Sequence, residues 1–228
     1  MAKIAEIFKS IQGEGLYQGQ EQVFVRLFGC NLRCSYCDTT LEFYQEKSIA
    51  QVIAQIQSYD NYHSVSLTGG EPLLQIDFLA ELAKGLKKLG KKVYLETNGI
   101  LYDNLERIID DIDIIAMDFK LPSAVGGVDF WDEHRRFLEI AMEKEVFVKA
   151  VIGIDTSKDE ILQAINIIKN IVGASLVYAR NKIQFILQPQ NPYEDLLQGK
   201  LVDFQQVCNS RGIEAKILPQ LHKILNIK

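Results

Sequence analysis

The chain has 228 residues, 47% hydrophobic and 24% charged, which is the balance of an ordinary globular protein. Its net charge of −5 argues against nucleic acid as a partner, because nonspecific binding to phosphates needs a basic surface. No run of 18 apolar residues is present and the N-terminus is too polar for a signal peptide, so no membrane contact is expected. We expect a single domain over residues 1–228, in the cytoplasm, with a small molecule as its partner.

Two strands are predicted near the N-terminus, over residues 3–8 and 22–28, from their β-branched and aromatic content. The segment 12–19 between them is rich in glycine, which permits close approach of the backbone to a ligand. A plain hairpin connection is the alternative interpretation. Arg26 interrupts the second strand; such an arginine usually lies on a solvated face, but its guanidinium also suits a bound carboxylate.

Three of the four cysteines follow within eight residues, as Cys30, Cys34 and Cys37 in the pattern C-x3-C-x2-C. Thiolates at this spacing are ligands for zinc or for an iron–sulfur cluster. The remaining Cys208 is far along the chain and is expected to be buried in a helix. Asp38 and Thr39, next in the chain, suit a turn or a helix cap.

Two other interpretations of the cysteines stay open on spacing alone. One is a redox-sensing thiol group, and the other is a zinc site completed by a histidine. The histidines of the chain are His63, His134 and His222. A disulfide framework is disfavoured, because four cysteines in a chain of this length are few.

From residue 48 onward, helical and strand patterns alternate. Helices are predicted from the N-cap candidate Ser48 and over residues 76–89, 104–110, 131–143, 158–171 and 201–209. Strands are predicted over residues 65–68, 92–96, 112–117, 146–152, 183–188 and 213–218. The alternation favours an α/β fold with a mainly parallel sheet, and about six βα units indicate an incomplete barrel. Residues 122–127 and 190–199 are predicted as loops.

Several polar residues and a glycine fall at or near the ends of these strands, where ligands gather in parallel α/β folds. They are Gly70, Glu96, Asn98, Asp118, Lys120, Lys149 and Gln188. Each alone suits a surface or turn position, but together they predict the rim of one ligand-binding site at the carboxyl ends of the strands.

The cysteine loop, with Tyr36 before its last cysteine, resembles that of the radical S-adenosylmethionine superfamily. Residues 68–72 (TGGEP) and 96–99 (ETNG) resemble two further motifs of the superfamily, in the same order. The resemblance implies a partial TIM-like βα barrel forming one domain.

A narrower resemblance, to the 7-carboxy-7-deazaguanine synthase family of queuosine precursor biosynthesis, covers nearly the whole chain. It is carried by residues 6–8 (EIF), 10–15 (SIQGEG), Arg26, 37–39 (CDT) and 219–223 (PQLHK). The QGEG segment is shared with activating enzymes of glycyl-radical proteins, so the tail is the more discriminating feature.

The superfamily resemblance implies a 4Fe–4S cluster on Cys30, Cys34 and Cys37, with S-adenosylmethionine chelating the fourth iron. An electron from a flavodoxin-like or ferredoxin-like donor would generate a 5′-deoxyadenosyl radical that takes a hydrogen atom from the substrate. The implied S-adenosylmethionine contacts are Tyr36, Asp38, Gly70, Asp118, Lys120 and Gln188. Residues 117–120 read MDFK where many relatives have Ser-Pro-Lys, a departure at this contact.

The family resemblance implies a reaction in which 6-carboxy-5,6,7,8-tetrahydropterin becomes 7-carboxy-7-deazaguanine and ammonia. Mg²⁺, held by Thr39, would assist the ring contraction. The implied substrate contacts are Ile11, Gln12, Gly13, Glu14, Arg26, Thr68, His222 and the terminal carboxylate of Lys228. Arg26 would hold the substrate carboxylate, and a homodimer is expected.

Three other functions compete with this one. An activase for a glycyl radical needs no pterin pocket and no magnesium, so Arg26, Thr39 and His222 argue against it. A noncatalytic zinc module would be colourless when purified, whereas a cluster protein is brown. Direct modification of tRNA is disfavoured by the acidic net charge.

Overall fold

The computed structural model describes residues 1–37, 42–174 and 183–227, and within them nine strands form one sheet. The strands are β1 (Ala2–Ile11), β2 (Glu21–Leu27), β3 (Gln45–Lys47), β4 (Ser64–Gly69), β5 (Val93–Thr97), β6 (Ile114–Asp118), β7 (Glu145–Ile152), β8 (Phe185–Pro189) and β9 (Ala215–Ile217). The helices are α1 (Ile49–Gln57), α2 (Ile76–Lys88), α3 (Tyr102–Glu106), α4 (Trp131–Ala141), α5 (Lys158–Ala174), α6 (Glu194–Ser210) and α7 (Leu221–Leu225). No helix in these ranges has the length and apolar character that a membrane span requires.

The sheet order is β3-β1-β2-β4-β5-β6-β7-β8-β9. All neighbours from β2 to β9 pair in parallel, whereas β1 runs antiparallel to both β2 and β3. β3 and β9 are the two edges, so the sheet is an open, partial βα barrel. This confirms the predicted fold class.

The predicted alternation of strands and helices is confirmed, with local differences. The helix predicted over residues 104–110 is wrong in its second half, because α3 ends at Glu106 and a separate 3-10 turn over Ile109–Asp111 follows. β3 was not predicted, because its three residues are polar and carry no strand pattern. The start of α6 was predicted at residue 201 but is Glu194, so the loop predicted over 190–199 is wrong in its second half. The short helix α7 near the C-terminus was also not predicted.

Successive side chains on a strand point to opposite faces of the sheet, and here the two faces differ in polarity. The helix-covered face carries the main apolar core, with fully buried residues such as Leu67, Leu95 and Leu187. The other face carries Thr68, Glu96, Asp118 and Gln188 at the strand ends and Lys149 within the second half of β7, and these residues line a cavity. The strand alternation therefore sends one set of side chains to the core and the polar set to the cavity.

An apolar plug fills the inner face below this cavity. Tyr94, Ile114, Phe147 and Ile186 pack there against Leu16 and Tyr17, which the β1–β2 loop inserts. Backbone hydrogen bonds from Gln12 N–H to Gln20 O and from Gly19 N–H to Gln12 O close that loop as a hairpin. Gly15 has φ +65°, and a Cβ there would lie 2.4 Å from the Phe147 ring. The loop is therefore both a hairpin connection and a wall of the cavity, which combines the two interpretations of its sequence.

Gly69 ends β4 where the chain passes against β2, and the fold depends on this close approach. Its φ is +137°, and a Cβ would lie 2.1 Å from the backbone oxygen of Leu27. We predict that Gly69→Ala lowers the free energy of unfolding by more than about 2 kcal/mol, because both backbone strain and a backbone clash result.

Gly199→Ala is the matched control, since Gly199 lies inside α6 with nothing within 4 Å of an added Cβ. It should raise the free energy of unfolding by about 0.5–1 kcal/mol. Urea denaturation of both variants measures this, and equal stabilities would contradict the close approach at Gly69.

Candidate active site

One cavity of about 780 Å³ lies at the carboxyl ends of the parallel strands. It is lined by all fifteen predicted site residues that the structure describes: Cys30, Cys34, Cys37, Tyr36, Gly70, Asp118, Lys120, Gln188, Ile11, Gln12, Gly13, Glu14, Arg26, Thr68 and His222. The predicted residues Asp38, Thr39 and Lys228 lie outside the described residues. Residues predicted from distant motifs thus come together in one place.

The cysteine loop follows β2 and forms part of the mouth of this cavity. Cys30 and Cys37 are exposed and Cys34 is half-buried. Burial raises the pKa of the Cys30 and Cys34 thiols, and the nearby Cys37 thiol adds to the rise. Over the described ranges, no three Cys, His, Asp or Glu side chains are gathered at metal-binding distances. The three thiols therefore share a cavity wall without converging on one point.

The glycine-rich turn after β4 packs directly against the cysteine loop. A Cβ at Gly70 would lie 2.1 Å from the Gly29 carbonyl oxygen and 2.9 Å from Cys30 Cβ, so only glycine fits there. The next residue, Glu71, donates its backbone N–H to the same Gly29 oxygen at 2.9 Å. The turn and the loop form one unit.

Glu71 itself is buried below the cavity floor, and sequence reasoning assigned it no role. Its carboxylate accepts hydrogen bonds from the backbone N–H groups of Leu73 (3.1 Å) and Asn98 (2.8 Å) and from the Thr97 hydroxyl (2.9 Å). Burial raises the pKa of Glu71 to about 7, although these hydrogen bonds oppose the rise. Asn98 in turn donates to Asn31 Oδ1 at 2.8 Å, which ties the end of β5 to the cysteine loop.

Four charged side chains of alternating sign cross the cavity. Glu14 forms a salt bridge with Lys149, and Lys149 Nζ lies 3.4 Å from Asp118 Oδ2. The same Asp118 oxygen lies 2.7 Å from Lys120 Nζ. Lys120 Nζ also donates to the Tyr36 hydroxyl at 3.3 Å, beside the last cysteine. We call Glu14, Lys149, Asp118 and Lys120 the ion chain.

The ion chain fixes the charge state of its members. Burial alone would raise the pKa of Glu14, but the Lys149 ammonium and a hydrogen bond from Gln220 lower it to about 2. Burial alone would lower the pKa of both lysines, but their carboxylate neighbours, Glu14 and Asp118 for Lys149 and Asp118 for Lys120, raise it. Glu14 and both lysines are therefore charged at neutral pH.

Two acceptor atoms on the cavity wall lack a hydrogen-bond partner among the described residues. They are Asp118 Oδ1 and Gln188 Oε1, and both are buried. A buried acceptor without a partner is costly, so these atoms suit the amino or hydroxyl donors of a bound molecule.

A second polar network, centred on Glu96, lies near the β1–β2 loop. Glu96 accepts hydrogen bonds from Gln12 Nε2 (2.6 Å), Thr68 Oγ1 (2.8 Å) and Ser66 Oγ (3.2 Å). Gln12 is further held by Gln22 Oε1 at 3.0 Å. The sequence placed Glu96 on the rim but not among the substrate contacts, and its strand-end position and the motif over residues 96–99 were the signals.

The C-terminal segment covers this side of the cavity. Leu221 N donates to Gly13 O at 2.8 Å, and Gln220 Nε2 donates to Glu14 Oε1 at 2.6 Å. A Cβ at Gly13 would lie 2.2 Å from His222 Nδ1, so the tail histidine packs on the loop glycine. Sequence reasoning named His222 from its motif but missed Gln220 as a contact.

Arg26 lines the cavity from β2, but it already has an anionic partner. Its guanidinium lies 2.9 Å from Glu6 Oε1 on β1. Arg26 also stacks over the Phe8 ring, with its Cζ 5.4 Å from the ring centre. A substrate carboxylate would share Arg26 with Glu6.

The positions of the histidines bear on the zinc alternative. Neither His63 nor His134 lines the cavity. His134 is buried against Phe119, its Nε2 is 3.1 Å from Asn98 O, and burial lowers its pKa to about 4. A zinc site completed by either of these histidines is therefore wrong, and His222 lies on the tail side of the cavity.

Comparison with known proteins identifies the class. Residues 25–179, more than half of the chain, match the family model described as the radical SAM superfamily. The fold is also that of a crystal structure of QueE from Escherichia coli, with a TM-score of 0.61 and 22% sequence identity over 95% of this chain and 93% of that chain. The chain belongs to the radical S-adenosylmethionine superfamily, so it is an enzyme that uses an iron–sulfur cluster and S-adenosylmethionine.

Full-length relatives narrow the assignment. A 7-carboxy-7-deazaguanine synthase from Geobacter sulfurreducens is 36% identical over 98% of this chain and 97% of that protein. Another from Methanospirillum hungatei is 35% identical over 99% of this chain and 86% of that protein. The chain belongs to the 7-carboxy-7-deazaguanine synthase family.

The raised pKa of Glu71 predicts a pH-dependent stability. Between about pH 4.5 and pH 7 the folded protein holds a proton on the Glu71 carboxyl that the unfolded chain has lost. The stability that this protonation contributes is therefore full below pH 4.5 and is lost as pH rises through 7. Relative to Glu71→Gln, the wild type should therefore lose stability across that window and show no further change above about pH 8.

Urea denaturation from pH 4.5 to pH 8 measures the difference between the two proteins. Glu14→Gln is the matched control, because the lowered pKa of Glu14 gives stability that is lost only as pH falls below about 4.5. The difference in stability between the wild type and Glu14→Gln should therefore stay constant from pH 4.5 to pH 8. A constant difference between wild type and Glu71→Gln would show that the buried carboxyl titrates normally.

Proposed function

We propose that the chain converts 6-carboxy-5,6,7,8-tetrahydropterin to 7-carboxy-7-deazaguanine with loss of ammonia, as a step in 7-deazaguanine biosynthesis. The observation that carries the proposal is the cavity in which the cysteine loop, the strand-end residues and the β1–β2 loop face one another. Membership of the family supports the same reaction.

Cys30, Cys34 and Cys37 are the residues that would hold the cluster. The donor set is three thiols from one loop, which suits a cluster with an open iron better than a structural zinc site with four protein ligands. When bound, the cluster and S-adenosylmethionine supply the one-electron chemistry that removes a hydrogen atom from a substrate carbon. The chain's own residues bind, orient and exclude water.

The cofactor side of the cavity has a glycine backbone that a ligand can approach closely and two acceptor atoms without a hydrogen-bond partner among the described residues. Gly70 exposes its backbone beside the cysteine loop, which suits the amino group of the methionine moiety. Asp118 Oδ1 and Gln188 Oε1 suit further donors of that molecule, such as ribose hydroxyls. Tyr36 and Lys120 complete this side, together with Asp38 from outside the described residues.

The substrate side is built from the β1–β2 loop, β2, β4 and the tail. A pterin has a flat edge of alternating donors and acceptors, which amide and carboxylate groups can match. Gln12, Glu14 and Thr68 provide such groups, and Ile11, Gly13 and His222 line the space around them. Glu14 is held as a carboxylate, so it is an acceptor for a pterin N–H. Arg26 would hold the substrate carboxylate while paired with Glu6.

Several further parts of the proposal rest on the resemblance alone. Thr39 would hold Mg²⁺ and the carboxylate of Lys228 would reach a pterin N–H. A flavodoxin-like or ferredoxin-like protein would donate the electron near the exposed Cys30 and Cys37. A homodimer acting in the cytoplasm completes the proposal.

An anaerobic assay of the reconstituted protein tests the reaction. S-adenosylmethionine, a reductant, Mg²⁺ and the carboxytetrahydropterin are supplied, and mass spectrometry should detect the carboxydeazaguanine. Cys34→Ala should lose both bound iron and product, whereas Cys208→Ala should keep both, because Cys208 is buried in α6 away from the cavity. Cleavage of S-adenosylmethionine with an unchanged pterin would favour the activase instead.

The proposed magnesium ligand is tested by Thr39→Val, which removes a hydroxyl and keeps the shape of the side chain. We expect the Mg²⁺ concentration for half-maximal activity to rise at least about tenfold, because one inner oxygen ligand is lost. Thr40→Val is the neighbouring control and should leave the Mg²⁺ dependence unchanged. Equal Mg²⁺ dependence in both variants would remove Thr39 from the proposed site.

A further inference from the structure

We propose that Lys149 couples the two sides of the cavity, so that S-adenosylmethionine and the pterin each bind more tightly in the presence of the other. Lys149 is a positioning residue in this role: it holds Glu14 on the substrate side and Asp118 on the cofactor side. The inference rests on the proposed function, since it assigns a pterin to the Glu14 side.

The sheet places Lys149 between these two carboxylates. Its Cα is the register partner of the Asp118 Cα on the neighbouring strand β6. Its Nζ reaches Asp118 Oδ2 at 3.4 Å and forms a salt bridge with Glu14, which comes from the β1–β2 loop. The Lys149 side chain is only 14% exposed, and those of Asp118 and Glu14 are 12% and 25% exposed. The Lys149 ammonium group thus joins the end of β6 to the β1–β2 loop, whose Glu14 is 135 positions from Lys149 in the sequence.

Each end of the ion chain is fixed to a different part of the cavity. On the substrate side, Glu14 receives a hydrogen bond from Gln220 of the tail, and its backbone N–H donates to Gln12 Oε1 at 3.0 Å. On the cofactor side, Asp118 holds Lys120, which reaches the Tyr36 hydroxyl beside Cys37. A ligand that orders one end therefore orders the other through Lys149.

Electrostatics makes Lys149 the sensitive member of the ion chain. The four charges sum to zero, and a half-buried charge without its partner carries a desolvation cost that nothing offsets. Without Lys149, Asp118 keeps Lys120, but Glu14 keeps only the hydrogen bond from neutral Gln220 and the weaker electrostatic effect of His222. Glu14 would then move toward water or take up a proton, and the loop that carries Gln12 and Gly13 would move with it.

The coupling is measurable as the ratio of the Kd of S-adenosylmethionine without the pterin to its Kd with the pterin. The effect of S-adenosylmethionine on the Kd of the pterin must be equally large, because coupling is reciprocal. In reconstituted anaerobic wild-type protein without reductant, we expect the carboxytetrahydropterin to lower the Kd of S-adenosylmethionine by about 5-fold or more. In Lys149→Met, which keeps the length of the side chain but not its charge, the ratio should fall to within about twofold of one. Lys149→Arg keeps the charge and should restore part of the ratio.

Two controls separate coupling from a general loss of structure. Lys87→Met breaks a comparable ion pair, with Asp113, among residues that do not line the cavity, and should leave the ratio unchanged. Glu14→Gln removes the partner of Lys149, so the double variant Glu14→Gln/Lys149→Met should show no smaller ratio than Lys149→Met alone.

The outcomes separate the inference from the proposed function. A wild-type-like ratio in Lys149→Met would overturn the inference and leave the proposed function intact. Failure of the wild type to bind the pterin would overturn both. If Lys149→Met does not fold, the comparison of Lys149→Arg with Glu14→Gln decides, because a ratio unaffected by Glu14→Gln would also overturn the coupling.

Discussion

The pairing of charges inside one cavity is the constraint on which the site depends. Glu14, Lys149, Asp118 and Lys120 come from a loop, from two neighbouring strands and from the segment after β6, and all four are largely removed from water. Such charges are tolerated only as partners of one another. The β1–β2 loop must therefore lie over the ends of β6 and β7, which closes the cavity between the cysteine loop and the tail.

Close backbone packing on the other side of the cavity supports this arrangement. Gly69 and Gly70 let the end of β4 lie against β2 and the cysteine loop without side chains between them. Glu71 then fixes the end of β5 through buried hydrogen bonds. The apolar plug around Phe147 closes the opposite end of the barrel, so ligands enter at the mouth of the cavity, where Cys30 and Cys37 are exposed.

The features that could be predicted from the sequence are those that depend on short, local residue patterns. The alternation of strands and helices, the cysteine loop and the positions of Asp118 and Lys149 at or near the strand ends are all local patterns. The polar strand β3 carries no such pattern. The start of α6 has one buried leucine, Leu197, which the sequence does not distinguish from the exposed Leu196. The links from Glu14 to Lys149 and to Gln220 join residues 135 and 206 positions apart, so only the fold reveals them.

The central claim is that one cavity holds the cofactor and the pterin at the two ends of the ion chain. An anaerobic crystal structure of the reconstituted protein with S-adenosylmethionine and the carboxytetrahydropterin tests this directly. We predict S-adenosylmethionine beside Gly70 and Asp118, the pterin between Gln12 and His222, and an intact Glu14–Lys149 pair between them. A pterin bound outside this cavity, or an ion chain that opens when both ligands bind, would contradict the account.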